Sequence, residues 1–134
     1  MFEIEVLVGE RDAASGRIPS PKEIRGLCSL AASSAGVKEG HLAVEFVDER
    51  RMAELNGRYR GHPRPTDVLS FPVDEVGPGE GARELGDVLI CLEHTLDVRE
   101  AVVHGVLHLL GMDHETDDGE MLMLQRELLA RRTA

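Results

Sequence analysis

Three histidines fall within one short run, His104-Gly105-Val106-Leu107-His108-Leu109-Leu110-Gly111-Met112-Asp113-His114. Residues four apart on a helix share a face, with Cβ atoms roughly 5–6 Å apart. His104 and His108 can therefore reach one ion at about 2.0–2.1 Å per bond. Gly111 is placed to end that helix, because glycine takes the left-handed conformation after a helix without a Cβ penalty. The chain can then fold back and deliver His114 as a third nitrogen. Three protein ligands leave a zinc position open to water or substrate, the pattern of catalytic rather than closed structural sites. A lone histidine on an apolar face is usually a hydrogen-bonded core residue, but three at this spacing point to a metal. Three imidazoles without a thiolate suit Zn2+, one per chain, although nickel or copper would also bind such a set.

The spacing equals that of the metzincin proteases, His-Glu-x-x-His-x-x-Gly-x-x-His, with Gly105 where their general-base glutamate stands. Peptide hydrolysis by that route then lacks its proton acceptor. Gly105 is expected instead to leave the helix surface open beside the metal, to a substrate group or another stretch of backbone.

The same run resembles the signature of the YbeY family of bacterial single-strand endoribonucleases. Two further segments match that family in its own order. One is Leu55-Asn56-Gly57-Arg58-Tyr59-Arg60 followed by Pro65-Thr66-Asp67-Val68-Leu69-Ser70-Phe71-Pro72, and the other is Leu85-Gly86-Asp87-Val88-Leu89-Ile90-Cys91. The resemblance implies a zinc-dependent RNase acting in 16S ribosomal RNA maturation and ribosome quality control. Its implied partners are single-stranded RNA, such as a 16S rRNA precursor, and the ribosome or its proteins, with no DNA and no membrane. One departure is the link from Glu93 to Asp97, which is shorter than the helical stretch such proteins usually carry before the histidine helix. His94, within it, reads as a surface residue.

Around the metal ligands, Arg60 fits a phosphate clamp. Its planar guanidinium offers a bidentate fork to phosphate oxygens and can stabilise charge that builds up in the transition state. The family's Tyr-Arg motif assigns it there too, so Arg60 and the ligand His104 are the residues expected to act in catalysis; the alternative for Arg60 is a surface ion pair. Arg58 and Arg64 are further candidate substrate contacts. Asp113 and Asp87 either orient a ligand imidazole or cap a turn. Thr66, Asp67 and Ser70 shape the loop facing the metal, through backbone hydrogen bonding or through catalysis. His62 reads as a solvated loop residue within reach of RNA. The residues do not single out a general base.

A formal charge of −10 argues against a general nucleic-acid-binding protein, since phosphate contacts need clustered cations. The charge is segregated, however. Arg50, Arg51, Arg58, Arg60 and Arg64 stand against Glu54 alone, while Asp113, Glu115, Asp117, Asp118 and Glu120 gather elsewhere. A small basic groove on an acidic body fits these positions, and RNA binding should be weak without a partner and salt-dependent; Arg50 and Arg51 equally fit a solvated helix face. Two other functional classes remain, a divergent metallopeptidase-like hydrolase and a non-catalytic ribosome-associated factor whose zinc staples the fold.

These residues have to be held by a chain of 134 residues, which is expected to form one domain, residues 1–134. Strands are expected over Phe2–Val8, His41–Val47, Asp67–Phe71 and Leu85–Leu92. Helices are expected from Pro21, capped by Ser20 and closed by Gly36, from Asp48 to about Tyr59, from Asp97 to Leu110, and from Asp117 or Asp118 to Arg131 through Leu122, Leu124 and Leu128. Arg11–Ser20 reads as a polar loop and Asp74–Ala82 as a mobile surface loop. Four strands and about four interleaved helices give an α+β domain on a small mixed sheet. Cys28 and Cys91 make no CxxC pair and read as small buried residues in a reducing compartment, with a ligand role for Cys91 as the alternative. No run is long and apolar enough to span a membrane, and a soluble cytoplasmic protein is expected.

Overall fold

The computed structural model describes residues 2–73 and 84–133, so the loop expected over Asp74–Ala82 lies outside the described residues. Strands β1 (Phe2–Leu7), β2 (Gly40–Val47), β3 (Val68–Pro72) and β4 (Glu84–Cys91) form one sheet in the order β1-β2-β4-β3. The first two pairings are parallel, and β3 runs antiparallel to β4 at the edge. The architecture is the α+β arrangement on a mixed four-stranded sheet that the sequence predicts.

The helices are α1 (Glu10–Ala13), α2 (Pro21–Ser34), α3 (Glu49–Arg60), α4 (Val98–Leu109) and α5 (Glu120–Thr133). Side chains that compete with the backbone for hydrogen bonds set their starts. Ser20, Asp48 and Asp97 accept from the backbone N–H of Glu23, Arg51 and Glu100 respectively. Asp117 accepts from Gly119 and Met121 at the start of α5.

Val88 and Ile90 of β4 face the helices of the larger core, where they join Leu27, Val102, Val106 and Leu107. Leu89 and Cys91 face α3 and pack with Met52, Leu55 and Leu69. Both cysteines are buried thiols; burial raises Cys28 to about 12 and also pushes Cys91 up.

Three expectations need correction. The segment read as a polar loop contains α1, and its arginines secure the short link before α4. Arg11 pairs with Glu93, and Arg17 donates to the carbonyls of Leu92 and Thr95. On α5, Leu122 points outward at 42% exposure, and the buried stripe is Met121, Gln125 and Leu128. The third correction concerns Gly105, which is buried against the sheet rather than open beside the histidines. A Cβ there would lie 2.4 Å from Val88 Cγ1 and 3.1 Å from Val68 Cγ2.

Two stability measurements test this packing. Alanine in a helix interior ordinarily gains about 1 kcal/mol over glycine, whereas overpacking a tight core costs about 1–3 kcal/mol. Gly105→Ala should therefore lower the urea midpoint, and a raised midpoint would reject the close approach. The second concerns His41, whose Nε2 lies 2.8 Å from Glu5 and Nδ1 2.7 Å from Glu84. Two carboxylates require two N–H donors, hence the imidazolium, and the hydrogen bond to Glu5 followed by that to Glu84 raises its pKa despite partial desolvation. A raised folded pKa gives stability that is complete below the unfolded value of about 6.5 and is lost as pH rises through the folded value. His41→Gln should therefore destabilise most in mildly acidic buffer and little in alkaline buffer; equal loss in both would sink this reading.

Candidate metal centre and its cleft

Helix α4 carries His104 and His108 on one face because they are a single turn apart. Leu110 closes the helix and Gly111 follows with φ 94°. The Met112 N–H donates to Leu107 O at 3.1 Å and the Gly111 N–H to His108 O at 3.0 Å. This pair of bonds is the Schellman motif, in which a left-handed residue reverses the chain. Met112 packs back on the core, and His114 returns toward the helix face.

The three rings converge. Their centroids lie 4.7, 5.0 and 5.3 Å apart, and one ring nitrogen from each falls within 4.8 Å of the other two. His104 Nε2 and His108 Nε2 are 3.2 Å apart. Bonds of about 2.0–2.1 Å at tetrahedral angles put ligand nitrogens roughly 3.3 Å apart, so this edge has the right length for zinc.

The protonation pattern agrees. His104 Nδ1 lies 2.8 Å from Gln125 Oε1; an amide oxygen only accepts, so that nitrogen carries the hydrogen and Nε2 presents a lone pair. The pKa of His108 is lowered by burial first and then by His104 and His114. With Nε2 of His104 a lone pair, the 3.2 Å contact lets His108 Nε2–H donate to it when no ion is bound, and a cation would take that proton's place. His114 Nδ1 is buried with no hydrogen-bond partner, a cost that a bound ion would remove. The residues therefore fit a divalent cation, and among the described residues no fourth His, Cys, Asp or Glu joins the three.

The histidines form one wall of an open cleft of about 1190 Å³. The opposite wall comes from the end of α3 and the loop after it, with Arg60, His62 and Arg64. Asn56, buried within α3, holds that loop: its side-chain amide donates to Arg64 O at 2.8 Å and its carbonyl accepts from the His62 N–H. Neither Arg60 nor Arg64 has an ion pair among the described residues. Arg58, also expected to contact substrate, differs: it turns to Glu54 at 3.8 Å and lies outside the cleft lining.

The expected loop residues also line this space. Ser70 Oγ donates to Gly105 O at 2.8 Å, and Asp67 Oδ1 accepts from the Val68 N–H, with Thr66 Oγ1 3.3 Å away. Ser70 and Asp67 thus bond the backbone, and Thr66 bonds the Asp67 side chain. Asp113 Oδ1 accepts from the Glu115 N–H, capping the turn that bears His114. Asp87 projects from the other face of the sheet, into a depression shared with Glu45, Arg51, Tyr59 and Phe71. Burial, then Glu84, raises its pKa, and it orients no histidine. Cys91 faces α3 and is likewise outside the site. His94 pairs with Glu49 on the surface.

The model of the family described as Endoribonuclease YbeY matches residues 18–132. This chain belongs to the YbeY family of endoribonucleases, hydrolases that act on RNA. Curated relatives named Endoribonuclease YbeY include one from Bacillus cytotoxicus, 41% identical over 128 residues, covering 79% of this chain and 82% of that protein. The Thermobifida fusca relative is 44% identical over 108 residues, covering 66% and 70%. Among solved structures, the solution structure of a Thermotoga maritima protein matches with a TM-score of 0.54 at 26% identity, covering 98% of this chain and 89% of that one.

Gln125 is the site residue that sequence reasoning missed. Its signal was an amide on the apolar stripe of α5, visible only once Met121 and Leu128, rather than Leu122, are taken as the buried positions.

Proposed function

We propose that the chain is a zinc-dependent, single-strand-specific endoribonuclease that folds and acts as one domain. Its ion would be held by His104, His108 and His114, and its task would be maturation of the 16S rRNA 3′ end and ribosome quality control in the cytoplasm. The substrate would be single-stranded rRNA precursor presented with the ribosome or its proteins, not DNA. The observation that carries this reading is the convergence of three imidazoles, without a fourth ligand among the described residues, across a cleft from two arginines that have no ion pair. Among the described residues no helix is long and apolar enough to cross a membrane.

Bound zinc would supply Lewis-acid chemistry and a source of hydroxide near neutral pH. The chain's own residues do the rest. Arg60 and Arg64 bind the phosphodiester across the cleft, and the guanidinium fork meets charge as it develops on the phosphoryl oxygens. Asn56 keeps the arginine loop in place, and Ser70 ties the sheet edge to the histidine helix. An unpaired strand can bend its backbone into such a cleft, where a stiff duplex would not follow.

Two observations disfavour the rival classes. The position of a metalloprotease glutamate is Gly105, packed on Val88, so no carboxylate fits there. A purely structural zinc would be closed by a fourth protein ligand, and none joins the set among the described residues.

Elemental analysis paired with cleavage of a single-stranded RNA, with and without chelator, tests the reading. The expected result is one zinc per chain and cleavage that the chelator abolishes; chelator-resistant cleavage would defeat it. His108→Ala should lose zinc and cleavage together. Arg60→Glu should keep its zinc but cleave at least tenfold more slowly, about 1.4 kcal/mol of transition-state stabilisation. Cleavage by Arg60→Glu at the parent rate would remove the clamp.

A further inference from the structure

We infer that Gln125 is a positioning residue for the metal centre, fixing the His104 ring by a neutral hydrogen bond so that Nε2 faces the ion. This inference rests on the zinc reading above. His104 Nδ1 is held from another element, by Gln125 Oε1 on α5 at 2.8 Å. The docking of α5 therefore decides the orientation of His104.

Gln125 is 7% exposed, on the stripe formed by Met121 and Leu128, both 0% exposed. A leucine or methionine would fill that position with no polar group to bury. Burying an unsatisfied amide costs on the order of 1–3 kcal/mol, and its oxygen is paired with the imidazole. Packing alone gives no reason for an amide here, but holding a ring does.

The partner's neutrality also has a chemical consequence. Ligand histidines often donate their second N–H to a carboxylate, which raises the basicity of the ligand and so dilutes the charge of the ion. An amide fixes the same tautomer and orientation without adding negative charge. That leaves more of the ion's charge for the phosphodiester, in a cleft where Asp113 and Glu115 already stand on the histidine wall.

The test compares the parent, Gln125→Met and Gln125→Glu by zinc competition against a chromophoric chelator, with thermal unfolding of the zinc-free proteins as control. Nitrogen-15 NMR of the zinc-free parent, above the titration range of its histidines, reads the His104 tautomer. The parent should show hydrogen on Nδ1. Gln125→Met should bind zinc about 10–100-fold more weakly and lose that single tautomer, and Gln125→Glu should bind at least as tightly as the parent. A folded Gln125→Met with the parent's zinc affinity overturns the role of Gln125 alone, as does hydrogen on Nε2 in the parent should Gln125→Met fail to fold. A parent that takes up no zinc overturns the zinc reading, and this inference with it.

Discussion

The site depends on how closely α4 lies against the edge of the sheet. Gly105 makes that approach possible, because any side chain there would occupy the space of Val88 and Val68. Ser70, on β3, then reaches across to the Gly105 carbonyl. That carbonyl belongs to the residue after His104, so one hydrogen bond fixes both the rotation of the helix and its height over the sheet. Rotation matters most: successive helix residues are about 100° apart, and a modest roll of α4 would turn His104 away from the cleft. The residue that once looked like an opening beside the metal is instead the contact that aims it.

Electrostatics follow from the same layering. The chain carries a formal charge of −10, yet the sheet keeps several of its acids away from the cleft's cations. Asp87 and Glu45 line a depression on the α3 side, and Glu5, His41 and Glu84 form their own network. Glu54 engages Arg51 and Arg58 and so removes them from the basic surface. What remains on the cleft is Arg60 and Arg64 together with Asp67, Asp113 and Glu115. With a Debye length of about 8 Å at physiological salt, a phosphate within the cleft is screened from the acids of the α3 side, so the two guanidinium groups are set there against those three carboxylates rather than against the whole charge of the chain.

The parts legible in the sequence were those governed by local geometry. Helical spacing and a glycine turn predict the convergence of His104, His108 and His114, and capping residues predict the starts of α2, α3 and α4. What the sequence concealed depends on which face of an element meets which neighbour. Leu85 to Leu92 is apolar on both sides because helices cover both faces of β4, so the run gives no parity by which to place Asp87. On α5, Leu122 and Leu124 suggest a stripe one residue out of phase with the buried one, which hides Gln125 among polar positions. Arg11 and Arg17 read as loop residues because their partners, Glu93 and the Leu92 and Thr95 carbonyls, lie far along the chain.

The three proposed ligands are held with unequal firmness. His104 and His108 are preset by helix geometry, and His104 also by Gln125, and their Nε2 atoms stand 3.2 Å apart. That contact is at hydrogen-bond distance, so the pair holds its spacing before any cation arrives. His114 sits on a turn held by backbone hydrogen bonds and by the Asp113 cap, so its approach does not require an ion. The fold around them packs its larger core from β1, β2, β4, α2, α4 and α5, and the three histidines are not part of it. An ion binding there would give the orphaned His114 nitrogen a partner without having to build the site. Affinity that is not consumed in ordering the chain remains available as tight binding, and a rigid cradle for the ion is what pre-organised catalysis requires.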